Sequence, residues 1–332
     1  MEFSVFLQRK ICVGRRWEGV AKDGWGHIWR IMQVPWHFSS VIEARTSPKS
    51  ISSRKEVEMI DKKTALVTGA SSGMGKAIAK RLLADGYRVY VAARQVEKVE
   101  DLARLGAIPL RMDMSKEEEI RAAVGAILAD VGTIDVLVNN AGFGLYGPVE
   151  EIGIDEARYQ FEVNIFGLAR LTQLLLPAMR GKGAGTIVNI TSMGGKIYTL
   201  LGAWYHATKH ALEGWSDCLR LELAPFGIRV VIVEPGLIET GFGDVVADGL
   251  LKRSGNGPYA KVTQAVAMST RAAYGPGRGT DPGVIADIVS KAVKARRPRT
   301  RYVAGKYAKP MIMIRNWFGD RVFDRVIMSQ MR

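Results

Sequence analysis

A tyrosine and a lysine four residues apart, Tyr205 and Lys209, form the pair with the clearest chemical use in this sequence of 332 residues. Within a helical pattern, two side chains at this spacing emerge on one face. A phenol with an ordinary pKa of about 10 is a poor base at neutral pH, but a neighbouring ammonium favours the phenolate and lowers that pKa. The pair could therefore pass a proton to or from a substrate oxygen. Because this spacing is common by chance, the other motifs of the chain must decide whether the pair is functional.

A glycine-rich turn stands between a predicted strand, Thr64–Thr68, and a predicted helix over 74–85. Glycines let the backbone approach a pyrophosphate closely, and the free N–H groups at the start of a helix point at its charge. The strand before the turn and the helix after it distinguish this pattern from an ordinary tight turn. We therefore expect a dinucleotide to bind along the turn, at Gly69, Ser71, Ser72, Gly73, Met74 and Gly75.

The second predicted strand ends in Val91-Ala92-Ala93-Arg94. Sites for NAD usually place an acidic residue here to bind the ribose hydroxyls, whereas a small residue followed by arginine accommodates a 2′-phosphate. A guanidinium suits phosphate geometry, and the alternative is that Arg94 is only a solvated arginine. The sequence therefore favours NADP over NAD as the cofactor.

Further motifs follow in a fixed order. Asn139-Asn140-Ala141-Gly142 comes after the fourth predicted strand, Asn164 lies in a long predicted helix, Ser192 follows the fifth strand, and Pro235-Gly236 with Thr240 follows the sixth. Together with the glycine turn and the tyrosine–lysine pair, they resemble the full motif set of the short-chain dehydrogenase/reductase family over about residues 60–305. The glycine spacing resembles the short, single-domain branch, and the end of the second strand and the long C-terminal extension resemble its 17β-hydroxysteroid and retinol dehydrogenases.

The resemblance implies a role for each catalytic residue. Tyr205 would exchange a proton with the substrate oxygen, and Ser192 would hydrogen-bond that oxygen. Lys209 would lower the pKa of Tyr205 and hold the nicotinamide ribose, while Asn164 would anchor a water that links Lys209 to solvent. In isolation, Asn164 reads equally as an asparagine that caps the core, and Ser192 as an ordinary strand-end serine.

The same resemblance implies the cofactor contacts. Asn140 and Gly142 would line the adenine-ribose side, Asp113 would contact the adenine, and Ile238 and Thr240 would contact the nicotinamide carboxamide. An aspartate that precedes a helix is, on its own, more often a plain capping carboxylate. Beyond the glycine turn, the full expected set is Arg94, Asp113, Met114, Asn140, Ala141, Gly142, Tyr205, Lys209, Pro235, Gly236, Ile238 and Thr240.

The elements that must position these residues alternate between short apolar runs and helical patterns. The runs are apolar along their whole length, as expected for parallel strands covered on both faces. We therefore predict a doubly wound, Rossmann-like α/β domain with a mainly parallel seven-stranded sheet and helices on both faces. The predicted strands are Thr64–Thr68, Arg88–Ala92, Ile108–Met112, Val136–Asn139, Thr186–Ile190, Arg229–Val233 and Arg301–Val303. The predicted helices cover 74–85, 95–105, 115–131, 154–181, 203–225 and 281–296.

Three other segments do not show this alternation of apolar runs and helical patterns. Residues 1–58 hold four of the seven tryptophans without periodicity, and we expect Met59 to be the true start, the alternative being a partner-binding extension. Within the domain over 59–305, the glycine-rich segment 241–280 is a long insertion of the kind that forms a substrate lid. Residues 306–332 form a basic, amphipathic C-terminal extension.

The net charge of +14 does not indicate a nucleic-acid partner, because residues 59–290 carry 25 basic and 25 acidic side chains. The excess lies in the N-terminal segment and in residues 291–332, which carry 12 basic side chains against 2 acidic ones. No apolar run approaches the length of about 18 residues that spans a bilayer. The extension could lie on an anionic membrane surface, but we favour a helix packed over the substrate pocket or a neighbouring subunit.

Metal chemistry is not expected from this sequence. His206 and His210 lie four residues apart on a predicted helix but have no third ligand near them, and the two cysteines, Cys12 and Cys218, match no zinc spacing. Few cysteines and the lack of a signal-peptide pattern in the first 58 residues favour a cytoplasmic protein.

The segments expected around the reacting carbon are mostly apolar and aromatic, and no arginine cluster is present to bind a phosphate or carboxylate. They are 143–146, 193–198, 200–204 and the segment that begins at Gly241. We therefore expect an oxidoreductase that acts on a carbonyl or secondary alcohol of a bulky apolar substrate, such as a steroid, retinoid or lipid. The alternative is a non-catalytic dinucleotide-binding sensor. The helices over 154–181 and 203–225 resemble the dimer-forming pair of the family, which implies a homodimer or homotetramer.

Overall fold

The computed structural model describes residues 62–275 and 277–329. Seven strands form one sheet in the order β3-β2-β1-β4-β5-β6-β7, and every neighbouring pair is parallel. This confirms the predicted Rossmann-like sheet. The strands are β1 (Thr64–Thr68), β2 (Arg88–Ala93), β3 (Ile108–Arg111), β4 (Val136–Asn139), β5 (Gly185–Ile190), β6 (Ile228–Pro235) and β7 (Arg301–Ala304).

Helices connect the strands as parallel pairing requires. The first five are α1 (Gly73–Ala84), α2 (Glu100–Arg104), α3 (Glu117–Val131), α4 (Ile154–Phe161) and α5 (Gly167–Lys182). The remaining five are α6 (Ala203–Leu223), α7 (Phe242–Ser254), α8 (Ala260–Tyr274), α9 (Pro282–Lys294) and α10 (Ala308–Ser329).

Both faces of the sheet are buried, which explains why its strands are apolar along their length. In β1, Ala65 and Val67 pack on one face against α1 and α9, whereas Leu66 packs on the other against α3, α5 and α6. The strand order reverses direction between β1 and β4. Because the carboxyl ends of parallel strands meet at one edge, this reversal opens a crevice there, where ligands of such folds bind.

The long helix predicted over 154–181 is interrupted. A wider π-type turn, Glu162–Phe166, separates α4 from α5 and contains Asn164. Such turns insert an extra residue into a helix and often occur at functional sites. Periodicity did not predict the interruption, because it depends on contacts that the Asn164 side chain makes with other segments.

The insertion over 241–280 is not an irregular loop, as its glycines indicated, but contains the two helices α7 and α8. Gly243 lies inside α7, where any side chain would collide with Tyr274, so this glycine allows the two helices to approach closely. Val246 and Leu250 of α7 and Ala267 of α8 are buried. Burial of these apolar faces stabilises helices that the glycine content disfavours.

The C-terminal extension folds back onto the domain. The helix α10 bends at Gly319, whose φ of 71° is a conformation that favours glycine. Beyond the bend, Phe323 and Ile327 are buried against Ile197. The expectations for residues 1–58, including the start at Met59, lie outside the described residues. Among the described helices, none combines the length and the hydropathy needed to cross a membrane.

We predict that Phe323→Ala lowers the free energy of unfolding by about 3–5 kcal/mol, since it empties a fully buried aromatic site. Urea denaturation measures this loss. The control is Phe318→Ala on the same helix, where the side chain is exposed, and the change should stay within about 0.5 kcal/mol. Equal effects of the two substitutions would show that α10 does not pack as described.

Candidate active site

The backbone of the glycine-rich turn over 69–75 leaves a space that side chains at its glycine positions would fill. We call this turn the glycine cradle. Gly69 and Gly73 have positive φ values of 65° and 51°. A Cβ at Gly75 would lie 2.3 Å from the carbonyl oxygen of Gly69, so only glycine lets α1 begin this close to β1. Ser71 is half-buried, Ser72 is exposed, and the Ser72 side chain makes no capping hydrogen bond to α1. The open helix start and the space in front of it fit a pyrophosphate.

Asn140 fastens this turn to the end of β4. Its amide Nδ2 donates to the carbonyl oxygens of Thr68 and Gly69, at 2.9 and 3.2 Å. The backbone N–H groups of Asn140 and Ala141 both donate to Oγ1 of Thr68, each at 3.0 Å. The Asn140 side chain therefore fixes the conformation of the turn, a role that was not expected from the sequence. Thr68, for which no role was expected, also fixes this conformation.

Asn164 joins three segments of the site. Its Oδ1 accepts from the N–H of Phe143 at 3.1 Å, and its Nδ2 donates to the carbonyl of Phe143 at 3.0 Å and to Oγ1 of Thr208 at 3.1 Å. Gly142 lies directly beside it, since a Cβ there would stand 3.1 Å from Oδ1. Both amide hydrogens of the Asn164 side chain and one lone pair of its Oδ1 are thus engaged in structure.

Ser192, Tyr205 and His206 meet between the end of β5 and the start of α6. The side chains of Ser192 and Tyr205 line one cavity, and Oγ of Ser192 accepts from the N–H of Gly194 at 3.0 Å. His206 is buried, with Nδ1 at 2.8 Å from the Gly194 carbonyl and Nε2 at 3.0 Å from the N–H of Thr199. Since Nε2 accepts, Nδ1 carries the proton, and His206 fixes the loop that carries Ser192.

Burial governs the ionisation of these groups. It raises the pKa of Tyr205, an effect that the nearby Ser192 hydroxyl opposes, and it lowers the pKa of His206 to about 4. Burial also lowers the pKa of Lys209 to about 8, against the attraction of Glu213. The lowering of the Tyr205 pKa that was expected from Lys209 does not appear in this structure, in which burial raises that pKa. Tyr205 is a neutral phenol at neutral pH and can donate a proton.

Lys209 points from α6 towards the end of β5. Its Nζ donates to the carbonyl oxygen of Ile190 at 3.0 Å and lies 5.9 Å from the centre of the Tyr205 ring. The predicted pair thus shares one face of a helix, as the spacing indicated. Gly142 lies next to this ammonium, since a Cβ there would stand 3.9 Å from Nζ. The geometry leaves Lys209 free to bind a further oxygen near Tyr205.

The remaining expected cofactor residues differ in their surroundings. Arg94 is exposed at the end of β2 and follows the buried Ala93, which leaves the guanidinium free to meet a phosphate. Oδ1 of Asp113 accepts from the N–H and hydroxyl of Ser115, at 3.0 and 2.8 Å, which is local capping. Met114 is buried in the core beneath Gly167, so its side chain is a packing residue here.

The segment after β6 returns to the glycine cradle. The Cγ2 of Thr240 approaches Gly73, since a Cβ there would stand 3.0 Å from it. Ile238 is buried, and Gly236 has room for no side chain because Lys306 passes within 2.3 Å of where a Cβ would be. Pro235 ends β6. The structure therefore brings this segment to the same edge of the sheet as the cradle and Lys209.

A cavity of about 400 Å³ opens at Ser192 and Tyr205. Every one of its lining residues lies in the described part of the chain, and none of them is Asp, Glu, Lys or Arg. Tyr146, Met193, Ile197, Leu200 and Phe242 lie where the sequence analysis expected them. Phe143, Leu145 and Trp204, expected there as well, pack instead in a small separate cluster. The further lining residues come from α8, inside the segment expected to form a lid, and from α10, which was expected to pack over the pocket or over a neighbouring subunit: Val266, Ser269, Thr270, Ala273, Tyr274, Met311 and Ile327.

A buried network of charges lies behind Lys209. Glu213 binds Lys196 at 2.9 Å and Arg301 at 3.1 Å, and Arg301 also lies 3.1 Å from Glu234 at the end of β6. Both carboxyl groups are almost fully buried, and each has one oxygen without a hydrogen bond in the described structure. Burial and the neighbouring charge of Glu213 raise the pKa of Glu234 to about 7. The network links the end of β6, β7 and α6.

These features define the class of the protein. A parallel sheet with its glycine cradle at the reversal of strand order is a dinucleotide-binding fold, and Ser192, Tyr205 and Lys209 form a cluster of polar side chains beside the cradle.

Comparison with known proteins identifies the family. Residues 63–249 match the short chain dehydrogenase family. An uncharacterized oxidoreductase of Escherichia coli strain K12, YbbO, is 34% identical over 266 residues, which cover 80% of this chain and 94% of that protein. A 3-ketodihydrosphingosine reductase of Bacteroides thetaiotaomicron is 39% identical over 179 residues, covering 54% and 65%. The chain therefore belongs to the short-chain dehydrogenase/reductase family and is an oxidoreductase.

Solved structures agree with this assignment. A short-chain dehydrogenase from Streptomyces avermitilis is similar with a TM-score of 0.68 and 36% identity, covering 81% of this chain and 94% of that one. An actinorhodin polyketide ketoreductase solved with NADPH has a TM-score of 0.64 and 33% identity, covering 74% and 96%. A 3-ketoacyl-(acyl-carrier-protein) reductase from Brucella melitensis, solved with NADH, has a TM-score of 0.62 and 29% identity, covering 74% and 98%.

We predict that Glu234→Gln changes the pH dependence of stability. Because the folded state raises the Glu234 pKa from 4.5 to about 7, it binds this proton more tightly than the unfolded state, and stability falls as pH rises through that window. Glutamine carries no proton to lose. We therefore compare the Tm difference, variant minus wild type, at pH 4.5 and at pH 8. This difference should be larger at pH 8 by about 2 °C or more.

The control is Asp217→Asn, which removes a carboxylate that binds the same Arg301. Arg301 lowers the pKa of Asp217, so ionised Asp217 stabilises the fold at neutral pH. This control should lower the Tm at pH 7 and have less effect as pH falls below 4. If the Tm difference between Glu234→Gln and the wild type does not vary with pH, Glu234 does not have the raised pKa that its burial and the neighbouring Glu213 cause.

Proposed function

We propose that this protein is an NADP-dependent oxidoreductase that transfers a hydride between the nicotinamide and a carbonyl or secondary alcohol of a bulky apolar substrate. The observation that carries the proposal is that Ser192 and Tyr205 open together into a cavity without charged side chains. The cavity lies on the side of the sheet edge where the glycine cradle and Lys209 also converge.

The residues of the chain would divide the work as follows. The bound nicotinamide supplies the hydride or accepts it. Tyr205, a neutral phenol because of its burial, donates its proton to the substrate oxygen in reduction and takes it back in oxidation. Ser192 hydrogen-bonds the same oxygen and holds it next to Tyr205. Lys209 binds the nicotinamide ribose, and its ammonium stabilises the phenolate that remains after the proton has left.

The glycine-rich turn, the end of β2 and the segment after β6 would bind the cofactor. Gly69, Gly73 and Gly75 leave the backbone open, and the residue that precedes Arg94 at the end of β2 is alanine rather than an acidic residue. A carboxylate there would repel a 2′-phosphate, whereas a guanidinium binds one. Related structures hold NADPH in one case and NADH in another. The preference for NADP therefore rests on Ala93 and Arg94.

The apolar lining supports a steroid-, retinoid- or lipid-like substrate. About 400 Å³ is enough for a bulky ligand, and its polar groups are hydroxyls and a neutral histidine, which pair with neutral polar groups. A relative named for 3-ketodihydrosphingosine takes a keto compound. Measuring NADPH oxidation across steroid, retinoid and long-chain aliphatic ketones tests the substrate class. Turnover of charged sugar or amino-acid substrates alone would contradict it.

A homodimer or homotetramer is the assembly we infer. Exposed apolar side chains occur on the helices that form the expected dimer pair, including Phe166 just before α5 and Leu221 on α6, which are 56% and 64% exposed. Burying such side chains against a second copy would stabilise the assembly. A cytoplasmic location stays a prediction from the cysteine content of the sequence.

We predict that Tyr205→Phe retains NADPH binding but loses about 10²–10⁴-fold in kcat, because it removes only the oxygen that exchanges the proton. Steady-state kinetics with a ketone found in the screen and NADPH fluorescence titration measure the two quantities.

The matched control is Tyr146→Phe, which removes another buried phenol whose ring lies 5.5 Å from that of Tyr205 in the same cavity. It should keep most of the turnover. If Tyr205→Phe reacts at the wild-type rate, or if the two variants lose equal activity, Tyr205 does not have the proposed role.

We predict that Ala93→Asp combined with Arg94→Ala raises the KM for NADPH about tenfold or more and lowers the KM for NADH. The carboxylate repels the 2′-phosphate but accepts hydrogen bonds from free ribose hydroxyls, and a lost charge-assisted hydrogen bond is worth roughly 1.5–3 kcal/mol. Arg104→Ala, which removes an exposed arginine of α2, is the control and should change neither constant. A wild-type preference for NADH would refute the assignment.

A further inference from the structure

The outer side of α10 exposes large apolar side chains. Trp317 is 82% exposed and Phe318 is 59% exposed, both immediately before the bend at Gly319. Three more apolar side chains on this helix are between one third and just over one half exposed. We call the five residues the tail surface: Met313, Trp317, Phe318, Val322 and Met328. A tryptophan this exposed is costly in water, so a surface that covers it would be favoured.

The inner side of the same helix is well packed, so the exposure does not come from a loose helix. Phe323 is fully buried, and its ring meets that of Tyr198 edge to face at 5.0 Å. Met311 and Ile327 line the substrate cavity. The helix thus has two apolar sides, and only the inner one is used within the described fold.

The charges on the helix leave its outer side positive. Both acidic residues are engaged: Asp320 pairs with Arg315, and Asp324 accepts from the hydroxyl of Tyr198 at 2.7 Å. The exposed Lys309, Arg321 and Arg325 have no ion pair among the described residues. Apolar side chains with uncompensated cations around them match the interface of an anionic bilayer, where tryptophan lies at the headgroup level.

We propose that the tail surface binds the face of an anionic lipid bilayer and places the mouth of the substrate cavity next to the lipid. Tyr307, immediately before this helix, is half exposed and also lines the cavity, so the cavity reaches the protein surface at the N-terminal end of the helix that carries the tail surface. A lipophilic substrate could then enter from the bilayer without crossing water. The entry step rests on the proposed function, whereas the binding of lipid does not.

Two other occupants are less consistent with these side chains. A second copy on the same surface would form a twofold contact, in which Lys309, Arg321 and Arg325 would face their own counterparts. A nucleic acid would contact the cations but would leave Trp317 and Phe318 without apolar partners, and residues 59–290 supply no further basic excess. A bilayer satisfies both the apolar and the positive groups.

Co-sedimentation with vesicles tests the proposal on the full chain. We expect binding to vesicles of equal parts phosphatidylcholine and phosphatidylglycerol, and much weaker binding to phosphatidylcholine alone. Replacing Lys309, Arg321 and Arg325 together by glutamine should weaken the binding to anionic vesicles about a hundredfold, since each cation contributes roughly fivefold near such a surface. The double variant Trp317→Ser with Phe318→Ser should lose binding to both kinds of vesicle.

The control is Leu105→Ser, which removes a comparably exposed apolar side chain directly after α2 and should leave vesicle binding unchanged. All variants change exposed residues, and an unchanged Tm and NADPH affinity would show that each one is folded. Equal binding to neutral and anionic vesicles would overturn the proposal, as would self-association in gel filtration that the tryptophan–phenylalanine variant abolishes. Vesicle binding without any ketone turnover would refute the proposed function alone.

Discussion

The site depends on one constraint, which is that α6 is buried along a face that carries polar and charged side chains. Buried polar groups must be paired, and the partners available to this helix are the loops that surround the reaction centre. His206 binds Gly194 and Thr199, Thr208 binds Asn164, and Lys209 binds the carbonyl of Ile190. Packing the helix therefore positions these loops, and the catalytic geometry follows from the same contacts that satisfy the core.

The burial that holds the site together also sets its charges. Removal from water favours the neutral form of each group, which raises the pKa of Tyr205 and lowers those of His206 and Lys209. At neutral pH the phenol is protonated and the adjacent ammonium is still mostly charged, an arrangement in which the phenol can donate a proton. Behind them, Glu213 offsets the desolvation of Lys209, so the charge network contributes to the reaction centre as well as to the fold.

The substrate side of the site is formed by segments that follow the nucleotide-binding half of the chain. The helices α7, α8 and α10 supply much of the apolar wall of the cavity, whereas β1, β4 and the glycine cradle lie on the side where we propose that the cofactor binds. This division separates the common reaction from the choice of substrate. It also means that a contact on the outer side of α10 acts on the same helix that lines the cavity.

The sequence alone determined the sheet, its strands and the motif residues, because apolar runs, helical spacing and glycine patterns are local properties. It could not determine the turn at Asn164 or the helices inside 241–280, nor decide whether the C-terminal helix packs over the pocket or over a neighbouring subunit, since each depends on contacts between distant segments. Asn140 was expected to line the cofactor, yet its side chain holds the turn that begins at Gly69. The sign of the Tyr205 pKa shift was likewise decided by tertiary structure, because spacing reveals the neighbouring lysine but not the depth to which both groups are removed from water.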